Sequence, residues 1–176
     1  FTTVIQTEVG KLHFQEWLVK RSGKDRILGI EFRGAEEARP APGVLEAIEG
    51  ADWIIVCPSN PIVSIGTILS VKGVREALRS SQATRLAVSP IIGGRTVKGP
   101  ADIMMRALGV EATAYGVAWL YRDFLDVFVM DRVDADLKER VERLGVRVHL
   151  TDTLMGGLEG RVRLASRVVK VLEGCG

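Results

Sequence analysis

Residues 53–100, WIIVCPSNPIVSIGTILSVKGVREALRSSQATRLAVSPIIGGRTVKGP, decide the fold of this chain. The apolar run WIIVC at residues 53–57 is followed by an amphipathic segment, and the same pattern begins again with RLAVSP at residues 85–90. Short apolar runs separated by amphipathic segments are typical of strands and helices that alternate along a chain. We therefore predict alternating strands and helices throughout this stretch.

The same alternation continues towards the end of the chain. Two further strands are predicted at DVFVM (residues 126–130) and VRVHL (residues 146–150). Helices are predicted at about residues 62–70, 73–79, 101–108, 116–122, 134–144 and 160–172. Helices that connect parallel strands cover the faces of the sheet. The pattern therefore predicts a doubly wound, Rossmann-like α/β fold, with a mainly parallel sheet and helices on both faces.

The last two helices give the clearest local predictions. Asp134 is expected to cap the helix over residues 134–144, and Gly145 is expected to end it. The final helix is predicted to bury one apolar stripe, formed by Leu158, Val162, Ala165, Val169 and Leu172. Both are interpreted as packing helices with solvated, arginine-rich outer faces.

Residues 1–50 are less regular than the rest, although we expect residues 1–176 to form one α/β domain. Strands are predicted over residues 1–7 and 26–32, with a helix over residues 12–20 between them. The chain opens at Phe1 inside an apolar, β-branched run, which suggests a fragment of a larger domain. If that first strand were an exposed sheet edge, it could pair with a second copy to form a homodimer.

Composition indicates a globular protein, with 47% hydrophobic residues, 26% charged residues and a net charge of +2. No block of like charges predicts binding to nucleic acid or to an anionic membrane. The two cysteines, Cys57 and Cys175, are too few for a disulfide framework, which favours a cytoplasmic location. Residues 53–71 carry no charge, but Pro58 and Pro61 interrupt any membrane-spanning helix.

The loop after the first strand of the predicted parallel sheet is the first candidate site. In open parallel sheets, ligands bind beyond the carboxyl ends of the strands. Ser59, Asn60 and Ser64 place hydroxyl and amide groups there, at the predicted start of a helix. These side chains could bind a phosphate or a ligand carbonyl, or they could simply cap the helix. The residue pattern leaves these alternatives equally open.

The loop after the second strand of this sheet, at residues 90–100, is the other candidate. Gly93 and Gly94 permit close backbone approach, and Arg95 and Lys98 supply two cations. Such a loop could fold over a pyrophosphate. It matches neither the P-loop nor the dinucleotide-binding fingerprint.

Other polar residues carry weaker indications. Asp152 follows a predicted strand, and capping of the next turn is favoured over ligand binding. Asp123 and Asp126 could bind Mg²⁺, but two nearby carboxylates are more often solvated loop charges. The sequence shows no Ser-His-Asp, Cys-His or zinc-ligand pattern, and no catalytic residue or protein metal ligand is assigned.

Two segments carry a family resemblance: PSNPIVSIGTILSVKGVREAL at residues 58–78 and LAVSPIIGGRTVKGPAD at residues 86–102. They resemble the 2-phospho-L-lactate transferase family of coenzyme F420 biosynthesis. The resemblance extends to LHFQEWLV, GAEEARPAPGVLEAI, residues 121–126 and TDTLM at residues 151–155. The glycine-rich phosphate turn and the acidic residue near the start of family members have no counterpart here, so the chain resembles a C-terminal portion.

The resemblance implies a transferase that moves a phospholactyl or phosphoenolpyruvyl group from a guanosine diphosphate conjugate to the deazaflavin Fo, releasing GMP with the help of Mg²⁺. By the same resemblance, seven residues would contact these substrates: Ser59, Asn60, Pro61, Ser64, Gly93, Gly94 and Lys98. This chain alone is expected to be inactive. The alternative is a non-catalytic regulator of the related gluconeogenesis-factor type, which binds nucleotide sugars.

Overall fold

A four-stranded parallel sheet forms the centre of the computed structural model, which describes residues 1–175. Its strands are β4 (Trp53–Val56), β5 (Thr84–Val88), β8 (Val127–Asp131) and β9 (Arg147–Thr151), in the spatial order β4-β5-β8-β9. All three pairings are parallel. The predicted α/β class and all four predicted strands of this sheet are confirmed.

Helical segments precede, connect and follow these strands. The α-helices are α1 (Val44–Glu49), α2 (Ile65–Leu69), α3 (Val74–Ser80), α4 (Ala101–Ala107), α5 (Ala114–Tyr121), α6 (Lys138–Glu142) and α7 (Gly157–Glu173). A short antiparallel hairpin, β6 (Ile91–Ile92) and β7 (Arg95–Thr96), lies between β5 and α4. None of the helices within residues 1–175 is long and apolar enough to cross a bilayer.

Alternation along the central strands sends side chains to both faces of the sheet, and both faces are covered. On one face, Leu86 and Val127 pack in a cluster with Leu164 and Val168 of α7. On the other face, the main apolar core includes Phe128 and extends through α4 and α5 to Ile5 and Ile27 in the N-terminal part of the chain. Helices therefore cover both faces, as predicted.

The first 33 residues form a separate antiparallel sheet, in the order β2-β1-β3. Its strands are β1 (Thr2–Thr7), β2 (Gly10–His13) and β3 (Ile27–Arg33). The expectation that the first strand is an exposed edge is wrong, because β1 is hydrogen-bonded on both sides. This strand therefore has no free edge through which a second copy could pair. A homodimer formed through another surface stays a prediction.

The helix predicted over residues 12–20 is only partly correct. Residues up to His13 belong to β2, and a single π-helical turn follows at Glu16–Lys20. Trp17 is fully buried within that turn, and its indole Nε1 donates to the carbonyl of Asp25 at 3.0 Å. Pairing with β1 therefore overrides the local helical pattern of this segment.

The predicted cap at Asp134 is also wrong. Asp131 caps the segment instead, since its carboxylate accepts a hydrogen bond from the amide of Val133 at 3.0 Å. A 3₁₀ helix at Arg132–Leu137 follows and leads into α6. Asp134 lies inside the 3₁₀ helix, and its carboxylate accepts from Gly93 instead. This long-range contact could not be seen in the local pattern.

Most of the apolar stripe predicted for the last helix lies on the exposed face of α7, and only Leu172 of its five members is buried. Leu158 and Val162 are 75% and 55% exposed, whereas Leu164 and Val168 are each only 4% exposed. Both sets have the helical spacing of an apolar face, so their periodicity is similar. Contact with β5 and β8 determines which face is buried.

Candidate functional site

A cavity of about 710 Å³ opens at the carboxyl ends of the central strands, where the predicted loops meet. Three segments form its walls: the proline loop after β4 (residues 58–64), the hairpin arm after β5 (residues 91–99) and the β9–α7 loop (residues 152–156). Ser89 and Pro90 lie between the first two walls. Ligand sites at this edge of a parallel sheet are a general property of such folds.

Asn60 organises the proline loop. Its side-chain oxygen accepts hydrogen bonds from the amides of Ile62 at 2.9 Å and Val63 at 3.2 Å. Its side-chain nitrogen lies 3.5 Å from the sulfur of Met104 in α4. Asn60 therefore acts as a turn cap, one of the two roles left open by the sequence, and its side chain also borders the cavity.

Ser59 and Ser64 differ from Asn60. Both line the cavity, and neither hydroxyl makes a hydrogen bond within residues 1–175. Both side chains are half-buried. Pro61 is also in the proline loop but lies outside the lining of the cavity. The two hydroxyls are therefore the free hydrogen-bonding groups of this wall.

The hairpin arm presents its second half to the cavity. Thr96, Val97, Lys98 and Gly99 line it, and the Thr96 hydroxyl donates to the carbonyl of Gly99 at 2.8 Å. This hydrogen bond closes the arm into a tight loop next to α4. Lys98 therefore stands at the position where the sequence predicted a cation.

Gly93 and Gly94 form the turn of the hairpin, with φ angles of +57° and +74°. Successive left-handed residues are typical of a type I′ hairpin turn, which favours glycine at both positions. Neither glycine lines the cavity. Their conformation is explained by the turn, and a direct contact with a ligand stays a prediction.

The β9–α7 loop supplies a wall that the sequence analysis did not assign. Thr153, Leu154, Met155 and Gly156 line the cavity together with Arg161 of α7. The predicted capping role of the neighbouring Asp152 is confirmed, because its carboxylate accepts from the amide of Leu154 at 3.0 Å. Thr151–Met155 had been singled out only for Asp152 and for the family resemblance.

The charge inside the cavity is entirely positive. Lys98 and Arg161 are the only charged residues in the lining, and neither forms an ion pair within residues 1–175. The remaining lining is largely apolar and includes Phe14, Ile92 and Val97. Two free cations beside apolar walls suit a ligand that combines an anionic group with an apolar body.

The cavity does not resemble a metal site. No group of three or more His, Cys, Asp or Glu side chains within residues 1–175 could hold a metal ion. Proteins usually bind Mg²⁺ through carboxylates as well as substrate phosphates, and this lining has no carboxylate. The described residues alone therefore do not fit an Mg²⁺ site.

Asp123 and Asp126, the other possible Mg²⁺ ligands, are held in ion pairs. Asp123 pairs with Arg75, and Asp126 accepts from Nε and Nη2 of Arg85 at 2.7 and 2.8 Å. The Arg75 guanidinium holds the pKa of the Asp123 carboxyl below its ordinary value. Both aspartates therefore have structural partners.

The fold and the cavity together define an α/β domain whose parallel strands end, at their carboxyl edge, in a cavity lined by two cations that are unpaired among the described residues. The family profile described as 2-phospho-L-lactate transferase CofD matches residues 1–165. The chain belongs to this family.

Curated relatives include the 2-phospho-L-lactate transferase of Methanosarcina acetivorans, which is 44% identical over 98% of this chain and 55% of its own length. A phosphoenolpyruvate transferase of Streptomyces griseus is 43% identical over 92% of this chain and 51% of its own length. The chain therefore spans about half the length of the curated relatives it matches.

Among solved structures, Bacillus halodurans protein BH3568 aligns with a TM-score of 0.60 over 97% of this chain and 58% of its own length. A second structure of this protein, described as a member of the UPF0052 family, aligns with a TM-score of 0.59. Sequence identity is 17% in both comparisons, so they establish similarity of fold alone.

Proposed function

We propose that this chain carries a substrate-binding part of a transferase that moves a phospholactyl or phosphoenolpyruvyl group from a guanosine diphosphate conjugate to the deazaflavin Fo. Family membership supports the transferase class. The observation that carries the proposal is the pair of free cations, Lys98 and Arg161, in a cavity without carboxylates. Phosphate groups are the natural partners of such a pair.

The cavity offers charged and polar groups to the phosphates and an apolar surface to the acceptor. The cations would hold the phosphates, and the free hydroxyls of Ser59 and Ser64 would donate to phosphate oxygens or orient the acceptor hydroxyl. The apolar surface of Phe14 and Val97 would pack against the flat deazaflavin ring. Binding both substrates in one cavity would bring the reacting atoms together, which is a major source of rate in group transfer.

In the proposed reaction, the terminal hydroxyl oxygen of Fo attacks the phosphorus that carries the lactyl or enolpyruvyl group. A new P–O bond forms, the bond from that phosphorus to the bridging oxygen breaks, and GMP leaves with that oxygen. The acceptor hydroxyl releases its proton to water. Lys98 and Arg161 would stabilise the negative charge that develops on the phosphoryl oxygens.

We further propose that the chain binds substrates without turning them over. It spans about half the length of its curated relatives, and the described lining offers no carboxylate for Mg²⁺. The expected result is no GMP release when the chain is incubated with Fo, the donor and Mg²⁺. Release of GMP at a rate proportional to the concentration of the chain would overturn this part of the proposal.

Thermal unfolding in the presence of nucleotides tests the proposed nucleotide class. A ligand that binds only the folded state raises the melting temperature. We expect GMP to raise it more than a UDP-sugar does at the same concentration. A larger shift with the UDP-sugar would favour the nucleotide-sugar-binding alternative and contradict the transferase proposal.

Charge variants test whether the cations carry the binding. Arg161→Gln and Lys98→Gln should each weaken GMP binding by about tenfold, the low end for a charge-assisted hydrogen bond at a partly exposed site. Arg167→Gln on α7 and Lys72→Gln are matched controls, since they remove the same charge from exposed positions outside the lining. Equal losses in all four variants would show a general charge effect.

A further inference from the structure

We propose that Asp131 and Asp134, which stand at the carboxyl end of β8 outside the cavity, are positioning residues that hold two of its walls in place. The hydrogen bonds that they accept come from the β9–α7 loop and from the hairpin arm. The consequence for ligand binding rests on the proposed function, whereas the effect on the walls does not.

Asp131 holds the β9–α7 loop. One oxygen of its carboxylate accepts from both the amide and the hydroxyl of Thr153, at 2.8 and 3.0 Å. Its other oxygen accepts from the amide of Val133 at 3.0 Å. Thr153 lines the cavity and leads directly into Leu154, so these contacts fix the start of that wall.

Asp134 holds the hairpin arm. The amide of Gly93 donates to both oxygens of its carboxylate, at 3.1 and 3.2 Å. Gly93 lies at the turn, next to Ile92, which lines the cavity. Because the turn joins β6 to β7, this contact also sets the position of the strand that leads to Lys98.

The environment of these carboxylates points to a role beyond packing. Asp131 and Asp134 are only 6% and 4% exposed, and neither forms an ion pair within residues 1–175. Burying a carboxylate without a cation is costly unless hydrogen bonds satisfy it. Here the donors that replace water are Thr153 and Gly93, which belong to the cavity walls, and the amide of Val133.

The two carboxylates respond to burial differently. Burial acts to raise the pKa of Asp131, but the hydrogen bonds from Thr153 and Val133 outweigh it, so this pKa lies below its ordinary value. Burial raises the pKa of Asp134, the Gly93 amide partly opposes this, and the nearby charges of Asp131 and Asp136 raise it further. The charged carboxylate of Asp134 is therefore less well stabilised by its surroundings than the charged carboxylate of Asp131.

Amide hydrogen exchange of the ligand-free chain tests the positioning role directly. Asp131→Ala should accelerate exchange at the amide of Thr153 by at least about tenfold, and Asp134→Ala should do the same at Gly93, because each loses its hydrogen-bond acceptor. Asp136→Ala is the matched control, since Asp136 is exposed on the same 3₁₀ helix. Unchanged exchange at both amides in folded variants would overturn the proposal.

Conservative variants keep the test decisive if an alanine variant fails to fold. Asp134→Asn retains one oxygen that can accept from Gly93, so exchange at Gly93 should stay near the wild-type rate. Thr153→Val removes the hydroxyl donor to Asp131 but keeps the backbone amide. Exchange of the amide at position 153 should therefore rise by less than in Asp131→Ala. Fast exchange at Gly93 in Asp134→Asn would contradict the proposed contact.

Binding of GMP to the same variants tests the functional consequence. We expect about tenfold weaker binding in Asp131→Ala and Asp134→Ala, recovery in Asp134→Asn and no change in Asp136→Ala, because small displacements of positioning groups weaken ligand contacts. If exchange accelerates while GMP affinity stays constant, the positioning role is overturned for this ligand. If the wild-type chain binds no GMP, the proposed function fails, and the exchange data still decide whether the walls are held.

Discussion

The side-chain nitrogen of Asn60 lies 3.5 Å from the sulfur of Met104, so that one residue joins the proline loop to α4. The oxygen of the same side chain caps the turn through the amides of Ile62 and Val63. Met104 is fully buried. Asn60 therefore anchors the proline loop to the apolar core, which places Ser59 and Ser64 at the edge of the cavity.

Replacing Asn60 should lower the stability of the folded chain. Asn60→Ala removes the acceptor for two backbone amides, and we expect a loss of about 1–2 kcal/mol in the free energy of unfolding, measured in urea. Asn60→Asp keeps the acceptor and should recover most of this loss. A variant Asn60→Ala of wild-type stability would show that the cap contributes nothing.

The hairpin turn should accept asparagine at its first glycine. A Cβ at Gly93 would meet Val133 at 3.5 Å, which is an ordinary contact, and Asn-Gly is a preferred type I′ sequence. Gly93→Asn should therefore keep wild-type stability. Gly94→Val should lose about 1–2 kcal/mol, because a β-branched residue is strained at positive φ.

The same turn variant tests the predicted ligand contact of Gly93. If this glycine serves the turn alone, Gly93→Asn should bind GMP as tightly as the wild-type chain. Weaker binding at unchanged stability would indicate that the ligand approaches the backbone at this turn, as the sequence analysis predicted.

Replacing Asp126 should lower the stability of the fold and leave ligand binding unchanged. It pairs with Arg85 at 2.7 Å, and the two side chains are 35% and 16% exposed. Because Asp126→Ala leaves a half-buried guanidinium without its carboxylate, we expect a loss of about 2–3 kcal/mol in the free energy of unfolding. GMP binding should not change, since Asp126 lies before β8, at the opposite end of the sheet from the cavity. A selective loss of GMP binding would contradict the structural role.

His149 should make stability depend on pH in the mildly acidic range. Burial lowers the pKa of His149 below its ordinary value of 6.5, and the charges of Arg147, Arg167 and Lys138 lower it further. The unfolded chain therefore takes up the proton first, and stability is lost as the pH falls from above 6.5 through the lowered pKa. In urea unfolding at pH 7.5, 6.0 and 5.0, His149→Gln should reduce this loss. Identical pH profiles would contradict the assignment to His149.

Much of the fold could be predicted because its strands are short apolar runs with clear boundaries. Residues 126–130 and 146–150 match β8 and β9 to within one residue at each end. The N-terminal sheet was less predictable, because β2 and the π-helical turn depend on pairing with β1. The buried face of α7 was unpredictable for a related reason, since both faces carry apolar residues and only contact with the sheet distinguishes them.

The candidate site was predictable in the two loops that follow the first two strands of the central sheet, where polar residues are concentrated. Ser59, Asn60, Ser64 and Lys98 line the cavity, while their contacts with substrates stay predictions. Arg161 was missed because its helix lies far along the chain and carries two other arginines. Since only packing shows which of these arginines faces the cavity, periodicity alone could not identify it.

A titration of the fluorescent deazaflavin Fo into the purified chain, with and without GMP and Mg²⁺, tests the central claim most directly. The claim is that residues 58–64 and 91–99, with the β9–α7 loop, form a pocket for the acceptor and the phosphates. The account predicts saturable binding of Fo at a one-to-one ratio. Absence of saturable binding, in a chain shown by circular dichroism to be folded, would contradict it.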